Sequence, residues 1–389
     1  MRILFVARNI PVAGKAGNPV VLQIARHLEN RGHELRIIFP KEWVPCFLRK
    51  HPKYRHLYGL QAWEYQGIPV VPWTYPRLPV PAHAYRVLFA AQKQLSYPDS
   101  ASAYYDVIHA HYLLPDAWLA LHLGQRSGIP VVVTLRSTDV KLLRKAGRGS
   151  HTWRMAAEVL KKVSCTTALN GPVQAFFEEA FGHSSKLIPH GIPQDVILPG
   201  VPSDKDVDVL TVAHAIPRKQ VDWVIRAFLD APPEAARKLV VVGDGPARQE
   251  WEQLADGDPR ILFTGKLPHA EVMQWMQRSK IFALPSYQET FGLVYLEAAA
   301  AGNALVGRAG EGVAGVFAEE EEIILPADYT SFRIGLHRLL TSHSLCIQRA
   351  QAARQRAAQL SWGAILTRYE EVYAAARTLL PPNNPATVG

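Results

Sequence analysis

Short apolar runs of strand length alternate with amphipathic helical stretches in two separate parts of the chain. In the first half such runs cover residues 2–7, 34–39, 106–110, 130–135, 166–169 and 186–188. In the second half they cover residues 207–213, 239–242, 261–264, 280–284, 304–306 and 323–325. Strands that alternate with helices predict parallel sheets covered by helices. We therefore expect an α/β protein with two Rossmann-like domains whose parallel sheets face each other across a cleft.

The length supports two domains, because 389 residues exceed the size at which a single core stops growing. Prolines at 189, 193, 199 and 202 mark a linker, which places the predicted domains at residues 1–195 and 196–362. Residues 381–389 are predicted to be a disordered tail. Helices are predicted near 330–340, 344–359 and 362–379.

Positive charge is concentrated in the first half. Residues 1–200 hold 24 lysines and arginines against 12 acidic residues, whereas residues 201–389 hold 19 against 22. Such an asymmetry indicates an anionic partner for the N-terminal domain. A stretch within residues 40–97 interleaves aromatic and basic side chains: Trp43, Phe47, Arg49, Lys50, Lys53, Tyr54, Arg55, Trp63, Trp73 and Arg77. This stretch fits an anionic membrane surface or an acidic acceptor, nucleic acid, or ordinary loop packing.

The expected location is the cytoplasm, with peripheral binding at the inner face of the plasma membrane as an open alternative. The chain has no uninterrupted apolar run of about 18 residues. Charged residues also interrupt its first apolar run before that run reaches the length of the apolar region of a signal sequence. The three cysteines are far apart and lack a metal-binding spacing, so we expect reduced structural thiols.

The stretch at 285–302 places two carboxylates on a loop and on an otherwise apolar helix. Glu289 lies in the loop and Glu297 about two turns into the helix, which Gly302 ends. At about 1.5 Å of rise per residue the two carboxylates can lie up to about 12 Å apart. A glycosidase acid and nucleophile lie closer together, so two contacts to one elongated polar ligand fit better. A satisfied core glutamate remains the alternative for Glu297.

Phosphate-binding groups are predicted at the carboxyl ends of strands in the second half. Lys219, with Arg218, follows the strand 207–213, and helix N-termini predicted at Gly245 and Gly292 offer backbone amides. In the first half, His111 and Arg136 close two strands at the edge where α/β sheets form their sites. Solvent exposure of the two basic residues and plain packing of His111 remain open.

The landmarks of the chain resemble the retaining family 4 glycosyltransferases, which have the GT-B fold. The stretch 289–298 is similar to the Glu-x7-Glu motif of that family, and Pro285-Ser286 precedes it. Further matches follow the order of the family: residues 31–34, 188–191, 242–246 and 263–265. The resemblance spans roughly residues 2–375 and implies that a C-terminal helix, 363–380, packs back on the N-terminal domain.

The resemblance also implies roles for individual residues. Glu289 would contact the hydroxyls of the donor sugar, Glu297 the ribose of the nucleotide, and Lys219 the diphosphate. His111 matches a histidine common in the N-terminal domain of the family, and with Glu289 and Arg136 it completes the predicted catalytic set. The predicted donor-binding residues are Gly17, Arg218, Lys219, Gly245, Lys266, Leu267, Phe291, Gly292, Leu293 and Glu297.

The implied activity is metal-independent, cofactor-free transfer of a hexosyl group with retention of configuration. The donor would be a nucleotide-diphosphate sugar, UDP- or GDP-linked. The acceptor would be a glycolipid or a cell-surface polysaccharide, and no nucleic acid would be involved. In the front-face mechanism implied by the family, the leaving phosphate oxygen takes the acceptor proton.

Four positions depart from the family pattern. Ala213-His214 stands where Gly-Arg is usual, Arg136 replaces a histidine, His190 replaces an asparagine, and Gly315 stands where an acidic residue is common. Arg136 and His214 leave open a non-catalytic nucleotide-sugar sensor or scaffold. A GT-B nucleotide-sugar 2-epimerase is a second alternative, against which the Glu-x7-Glu stretch argues. Product analysis without an acceptor separates the epimerase from a transferase.

Overall fold

A computed structural model describes residues 1–12, 17, 19–52, 54–75 and 105–379, and the predicted tail at 381–389 lies outside them. The chain divides into two compact units. Unit 1 comprises residues 1–169, 173–188 and 366–389, and unit 2 comprises residues 170–172 and 189–365. The unit boundaries thus fall at 188/189 and 365/366, where the sequence predicts 195/196 and 362/363.

Unit 1 contains a sheet of eight strands in the order β3-β4-β2-β1-β5-β6-β7-β8. Its neighbouring strands are parallel except for the antiparallel pair of β3 and β4. The strands are β1 (Arg2–Val6), β2 (Glu34–Glu42), β3 (Trp63–Tyr65), β4 (Ile68–Tyr75), β5 (Val107–Ala110), β6 (Val131–Leu135), β7 (Cys165–Ala168) and β8 (Lys186–Leu187). The described helices of this part of the chain are α1 (Val20–Asn30), α2 (Trp118–Ser127), α3 (Ser137–Ala146), α4 (His151–Lys162) and α5 (Gly171–Phe181).

Unit 2 contains a parallel sheet of six strands in the order β11-β10-β9-β12-β13-β14. The strands are β9 (Val207–Val212), β10 (Leu239–Val242), β11 (Ile261–Gly265), β12 (Ser279–Ala283), β13 (Ala304–Val306) and β14 (Ile323–Ile324). The helices are α6 (Val221–Leu229), α7 (Arg248–Ala255), α8 (His269–Arg278), α9 (Leu293–Ala300), α10 (Tyr329–Thr341) and α11 (His343–Gln359), and α12 (Trp362–Thr378) ends the described chain.

The central strands are apolar on both faces, which explains their continuous Val, Ile and Leu runs. Every residue of β10 and every residue of β6 is buried. Parallel strands covered by helices on both sides lose the alternation of polar and apolar residues. The two α/β units predicted from the alternation are therefore present.

The prediction from the sequence lacks two strands, β3 and β4, which lie in the region where the regular alternation of apolar runs and helices breaks down. Pro69 and Pro72 interrupt β4, and proline usually argues against an interior strand because it lacks a backbone donor. β3 pairs only with residues 68–70 of β4, so Pro72 lies beyond the end of β3. Trp73, one of the aromatic residues of that region, is only 3% exposed and belongs to the core.

The last helix, α12, joins unit 1 through its residues from 366 onward. The Tyr373 hydroxyl and the His109 Nδ1 atom of β5 form a hydrogen bond of 2.8 Å. The Glu370 carboxylate lies 2.9 Å from His33 Nε2, just before β2. The C-terminal helix thus packs against the N-terminal sheet, as the resemblance to the family implies. Across the described ranges, none of the helices combines the length and the apolar character needed to cross a bilayer.

Candidate active site

Unit 2 has a cavity of about 540 Å³ at the carboxyl ends of β9 and β10. Parallel sheets bind ligands at this edge. Three predicted donor-binding residues line the cavity: Gly245, Lys266 and Leu267. The remaining lining residues are Val212, Ala213, His214, Val242, Gly243, Asp244 and Val272.

The glycine turn after β10 allows close backbone approach at this edge. Gly243 has a φ of +134°, and a Cβ atom there would lie 1.7 Å from the Ala213 carbonyl oxygen. The expectation that Gly245 marks a helix N-terminus is wrong. α7 begins at Arg248, because the turn continues through Pro246, and the Gly245 N–H donates to its neighbour Asp244 Oδ1 at 2.8 Å.

Glu289 and Lys219 form an ion pair in the loop that precedes α9. The Lys219 Nζ atom donates to Glu289 Oε2 at 2.6 Å, and the Arg218 guanidinium lies 3.7 Å from the same oxygen. Ser286 Oγ also donates to this oxygen, at 3.2 Å. Burial by itself would raise the pKa of Glu289, but Lys219, Arg218 and Ser286 outweigh burial and lower that pKa. Glu289 is therefore ionised at neutral pH and compensated by two cations.

Three further contacts hold the Glu289 loop in place. The Glu289 N–H donates to Glu311 Oε2 at 2.9 Å, and Asn170 Nδ2 donates to the Thr290 carbonyl oxygen at 3.0 Å. A Cβ atom on Gly312 would lie 2.6 Å from the Phe291 carbonyl oxygen, so only glycine fits there. Sequence reasoning missed Glu311 and Asn170. Gly310 and Gly312, on either side of Glu311, were the sequence feature that could have indicated a close approach of this backbone to another loop.

The other predicted donor residues of this loop and helix differ in their surroundings. Phe291 is buried against the His190 ring at 4.7 Å between ring centroids, and Gly292 caps α9 with a φ of +85°. Leu293 is 37% exposed. Glu297 lies on α9, as predicted, and its Oε1 atom is 2.8 Å from Nε2 of the exposed His269. Glu297 therefore has a partner of its own, separate from the ion pair at Glu289.

In unit 1, His111 and Arg136 follow β5 and β6 at the carboxyl edge of the sheet, and both are buried. The Arg136 Nε atom donates to the His111 carbonyl oxygen at 2.7 Å. The guanidinium lies 5.1 Å from the centre of the Tyr112 ring. Its Nη1 atom has no hydrogen-bond partner within the described ranges. The structure thus brings the two predicted residues together, as a buried pair.

His111 packs against His109, which is held by hydrogen bonds to Tyr373 and Thr134. The His109 ring stacks on the His111 ring at 4.2 Å between centroids. His109 Nδ1 is paired with the Tyr373 hydroxyl at 2.8 Å, and Nε2 with Thr134 Oγ1 at 2.7 Å. Burial, assisted by the charge of Arg136, lowers the pKa of His109 to about 3. His109 is therefore a neutral structural residue that connects the site to α12.

Two buried carboxyl groups accompany this cluster. Asp116 Oδ2 accepts the Arg8 N–H at 3.0 Å, and Asp139 accepts the N–H groups of Leu113 and Arg136 at 3.0 and 2.9 Å. Burial raises the pKa of Asp116 to about 7 and that of Asp139 to about 6, although nearby arginines oppose the effect. Sequence reasoning did not identify either group, because nothing in the local pattern marks an aspartate as buried.

Gly17, the remaining predicted donor residue, lies in unit 1. A Cβ atom there would lie 2.2 Å from the Ile10 carbonyl carbon, so the position requires glycine for a close backbone approach. Its role in donor binding stays a prediction, as do the roles of the other site residues. Among the described side chains, no group of three or more His, Cys, Asp or Glu residues is arranged to hold a metal ion.

Two family models match the chain, one in each half. Residues 16–191 match the model described as "Glycosyl transferase 4-like domain", and residues 206–342 match "Glycosyl transferases group 1". The chain is therefore built from the two domains of a GT-B glycosyltransferase of the family 4 type. The predicted GT-B fold and the predicted family 4 type are confirmed.

Individual relatives agree with this assignment. A Bacillus subtilis protein with the provisional name teichuronic acid biosynthesis glycosyltransferase is 25% identical over 354 residues, which cover 84% of this chain and 85% of the relative. A D-inositol 3-phosphate glycosyltransferase of Acidothermus cellulolyticus is 27% identical over 341 residues, covering 77% and 72%. The solved structure of Anabaena HepE in complex with UDP superimposes with a TM-score of 0.67 at 18% identity, covering 96% of this chain and 100% of HepE.

Proposed function

We propose that the protein is a retaining glycosyltransferase that moves a hexosyl group from a nucleotide-diphosphate sugar to a glycolipid or cell-surface polysaccharide acceptor. The sugar would lie at Glu289, the diphosphate at Lys219 and Arg218, and the nucleotide in the cavity lined by Gly245, Lys266 and Leu267. The ribose would bind Glu297. The proposed location of the reaction is the cytoplasm.

The observation that carries the proposal is the ion pair of Lys219 with Glu289. Lys219 and Glu289 neutralise each other at 2.6 Å, and both side chains are mostly buried. A bound diphosphate would compete with the Glu289 carboxylate for Lys219. That exchange would leave the carboxylate oxygens able to accept hydrogen bonds from the sugar hydroxyls. Binding of the diphosphate at Lys219 would therefore prepare Glu289 to bind the sugar.

The proposed step breaks the bond between the anomeric carbon and the leaving phosphate oxygen. The acceptor oxygen forms its bond to the same carbon on the same face, which retains the configuration. The acceptor proton passes to the leaving phosphate oxygen, so no separate base is needed. Lys219 and Arg218 stabilise the charge that develops on the diphosphate, which is the role that a metal ion has in other transferases.

The relatives support a nucleotide sugar as the donor and a glycan as the acceptor. HepE is described in complexes with UDP and with UDP-glucose, the latter superimposing with a TM-score of 0.62. The names of the two relatives refer to teichuronic acid biosynthesis and to D-inositol 3-phosphate. An acceptor that carries negative charge fits the surplus of basic residues in the first half.

Transfer from a panel of UDP- and GDP-sugars by the purified protein tests the proposal. Glu289→Ala should reduce turnover by at least 100-fold, because this substitution removes a charge-assisted contact to the reacting sugar. The matched control is Glu271→Ala, an exposed glutamate on α8 of the same unit, which should keep full activity. Full activity of Glu289→Ala would overturn the site assignment.

Two further measurements address the mechanism. NMR of the product should show the anomeric configuration of the donor, and inversion would contradict a front-face reaction. Activity should persist in the presence of a chelator. Tight donor binding without turnover across many acceptors would instead favour the sensor or scaffold, a candidate supported by the complete burial of His111 and Arg136.

A further inference from the structure

The residues 43–58, here called the 43–58 segment, expose aromatic side chains to solvent. Trp43 is 62% exposed, Phe47 80% and Tyr58 45%. The other large apolar residues with high exposure in the described part of the chain are aliphatic: Leu262, Leu293, Ile334 and Leu379. Exposed Trp and Phe side chains in one short segment are unusual for a soluble surface and mark an interaction site.

The charge of this segment is of one sign. Residues 43–63 contain four lysines and arginines and no acidic residue. Arg49, Lys50 and Arg55 are exposed in the structure, whereas Lys53 lies outside the described residues. Aromatic rings beside exposed cations complement the headgroup region of an anionic bilayer, where the rings sit at the interface and the cations meet lipid phosphates.

Hydrogen-bonded turns and contacts with the sheet hold the described residues of the 43–58 segment. Cys46–Leu48 forms a short 3-10 helix, and successive turns follow through Tyr54 and Leu57. The Trp43 N–H donates to the Tyr75 carbonyl oxygen of β4 at 2.9 Å. The Lys41 Nζ atom of β2 donates to the carbonyl oxygens of Leu57 and Leu60, both at 3.3 Å. Both ends of the segment are thus tied to the sheet.

The placement of the segment connects it with two of the predicted catalytic residues, His111 and Arg136. The segment leaves the carboxyl end of β2, and β1, β5 and β6 run parallel to β2. His111 and Arg136 follow β5 and β6 at that same edge of the unit 1 sheet. A bilayer that touches the segment would therefore meet the edge of unit 1 that carries these two residues.

We propose that the 43–58 segment docks unit 1 on an anionic lipid bilayer, with Trp43 and Phe47 inserted at the headgroup level and Arg49, Lys50 and Arg55 bound to lipid phosphates. The inference rests on the proposed function in one respect, because it names the surface that supplies a lipid-borne acceptor. The docking itself requires neither the donor nor turnover.

Sedimentation with phospholipid vesicles tests this docking. The full chain should bind vesicles that contain about one third phosphatidylglycerol and should not bind pure phosphatidylcholine, and salt should weaken the binding. Trp43→Ser/Phe47→Ser should reduce the partition coefficient at least about tenfold, because burial of the two rings is lost. Arg49→Gln/Lys50→Gln should reduce it about thirtyfold at low salt, at about fivefold per cation.

Matched controls separate the segment from the general charge of the protein. Leu262→Ser/Ile334→Ser removes two exposed apolar side chains from unit 2, and Lys145→Gln/Lys161→Gln removes two exposed cations elsewhere in unit 1. Both double variants should bind vesicles within about twofold of the unaltered protein. An equal loss in the lysine control would mean diffuse attraction to the whole basic unit and would overturn the proposal.

Cys46 allows insertion to be observed directly. Cys46 is exposed, whereas Cys165 is half-buried with a raised thiol pKa and Cys346 is buried, so Cys46 reacts selectively with a thiol reagent. A polarity-sensitive dye on Cys46 should shift to the blue on anionic vesicles, and Cys46→Ser gives the background. No shift on vesicles that nevertheless bind the protein would overturn insertion.

Two outcomes distinguish this inference from the proposed function. Glu289→Gln should bind vesicles normally while losing transfer, and Trp43→Ser/Phe47→Ser should keep its turnover of a water-soluble acceptor. Loss of transfer without loss of docking would count against the catalytic assignment alone. If the aromatic variant binds vesicles normally but no longer binds a soluble polyanion such as heparin, the surface serves a polyanionic partner and the membrane proposal fails.

Discussion

The charged groups of the donor loop in unit 2, here meaning Glu289 with its partners Lys219 and Arg218, and those at the sheet edge of unit 1 are arranged in opposite ways. Glu289, Lys219 and Arg218 compensate one another by direct contact within 3.7 Å. Arg136 instead has no carboxylate within ion-pair distance among the described residues. Its charge nevertheless opposes the rise in the pKa of Asp116 and of Asp139. Ion pairs dominate the donor loop, whereas burial dominates the edge of unit 1.

This difference has a chemical meaning. A compensated pair such as Lys219 and Glu289 can exchange one partner for an anionic ligand without leaving a charge alone. A group whose pKa is set by burial, such as Asp116 or His109, responds mainly to pH and to packing. The first arrangement suits binding of a diphosphate, and the second suits a packed interior whose charge depends on pH.

The largest effect should come from Lys219→Ala. Loss of a charge-assisted contact of about 1.5–3 kcal/mol should weaken the binding of UDP or GDP roughly 10- to 150-fold. Glu289 would also lose its main counter-charge, so its pKa should rise and the acid limb of the activity profile should move to higher pH. Isothermal titration and a pH–rate profile measure both effects.

The control for Lys219→Ala is Lys238→Ala, because Lys238 pairs with the exposed Asp206 in the same unit. The control should bind nucleotide normally. Unchanged nucleotide binding by Lys219→Ala would mean that the ion pair of the donor loop is structural, and the contrast between the two regions would then disappear.

An effect of similar size is expected from Asp116→Asn, as a change in the pH dependence of stability. The pKa of Asp116 is about 7 in the folded chain, above the usual value of about 3.9 for an unfolded aspartate. The folded state therefore holds the proton more tightly, and its stability falls as pH rises from about 4 to 7. Asparagine does not titrate, so the variant should lack this loss, which is on the order of 2–4 kcal/mol.

Urea unfolding of both proteins at about pH 5 and pH 8 measures this difference. Relative to the unaltered protein, Asp116→Asn should be more stable at the higher pH than at the lower pH. Glu179→Gln, which removes an exposed carboxylate of the same unit, should leave the pH dependence unchanged. The same pH dependence in Asp116→Asn and the unaltered protein would show that burial does not control this carboxyl group.

The smallest effect should come from Tyr373→Phe, which removes one hydroxyl from α12. The hydroxyl is paired with His109 Nδ1 in the interior, and loss of one such hydrogen bond should cost about 1 kcal/mol of unfolding free energy. Tyr329→Phe is the control, because its hydroxyl bonds to Asp230 at the surface at 3.3 Å. Equal losses of unfolding free energy in both variants would mean that the buried hydrogen bond contributes no more to stability than the one at the surface.

The sequence allowed the donor loop to be located more accurately than its supports. Glu289 and Glu297 stand in a pattern that predicts a loop and an apolar helix, and both lie where that pattern places them. Glu311 and Asn170 contact the loop from positions 22 and 120 residues away. Contacts of such separation depend on how the chain folds back, and local periodicity carries no information about them.

The same limit applies to unit 1. The positions of His111 and Arg136 at strand ends follow from the alternation of apolar runs. Their complete burial could not be predicted from local pattern. Arg136 packs against Tyr112, and His111 stacks on His109, whose ring in turn packs against Tyr369 and Tyr373 of α12, far along the chain. Trp43 and Trp73 looked equivalent in the sequence, but one is exposed and the other lies in the core.

The position of α12 in the sequence also determines the order in which the protein can mature on the ribosome. All of unit 2 has been synthesised by residue 365, whereas unit 1 still lacks the helix that supplies Tyr369 and Tyr373 to its interior. Domains generally fold as they are completed. The domain that is begun first is therefore finished last, and a nascent or truncated chain that ends before residue 366 leaves His109 without its tyrosine partner.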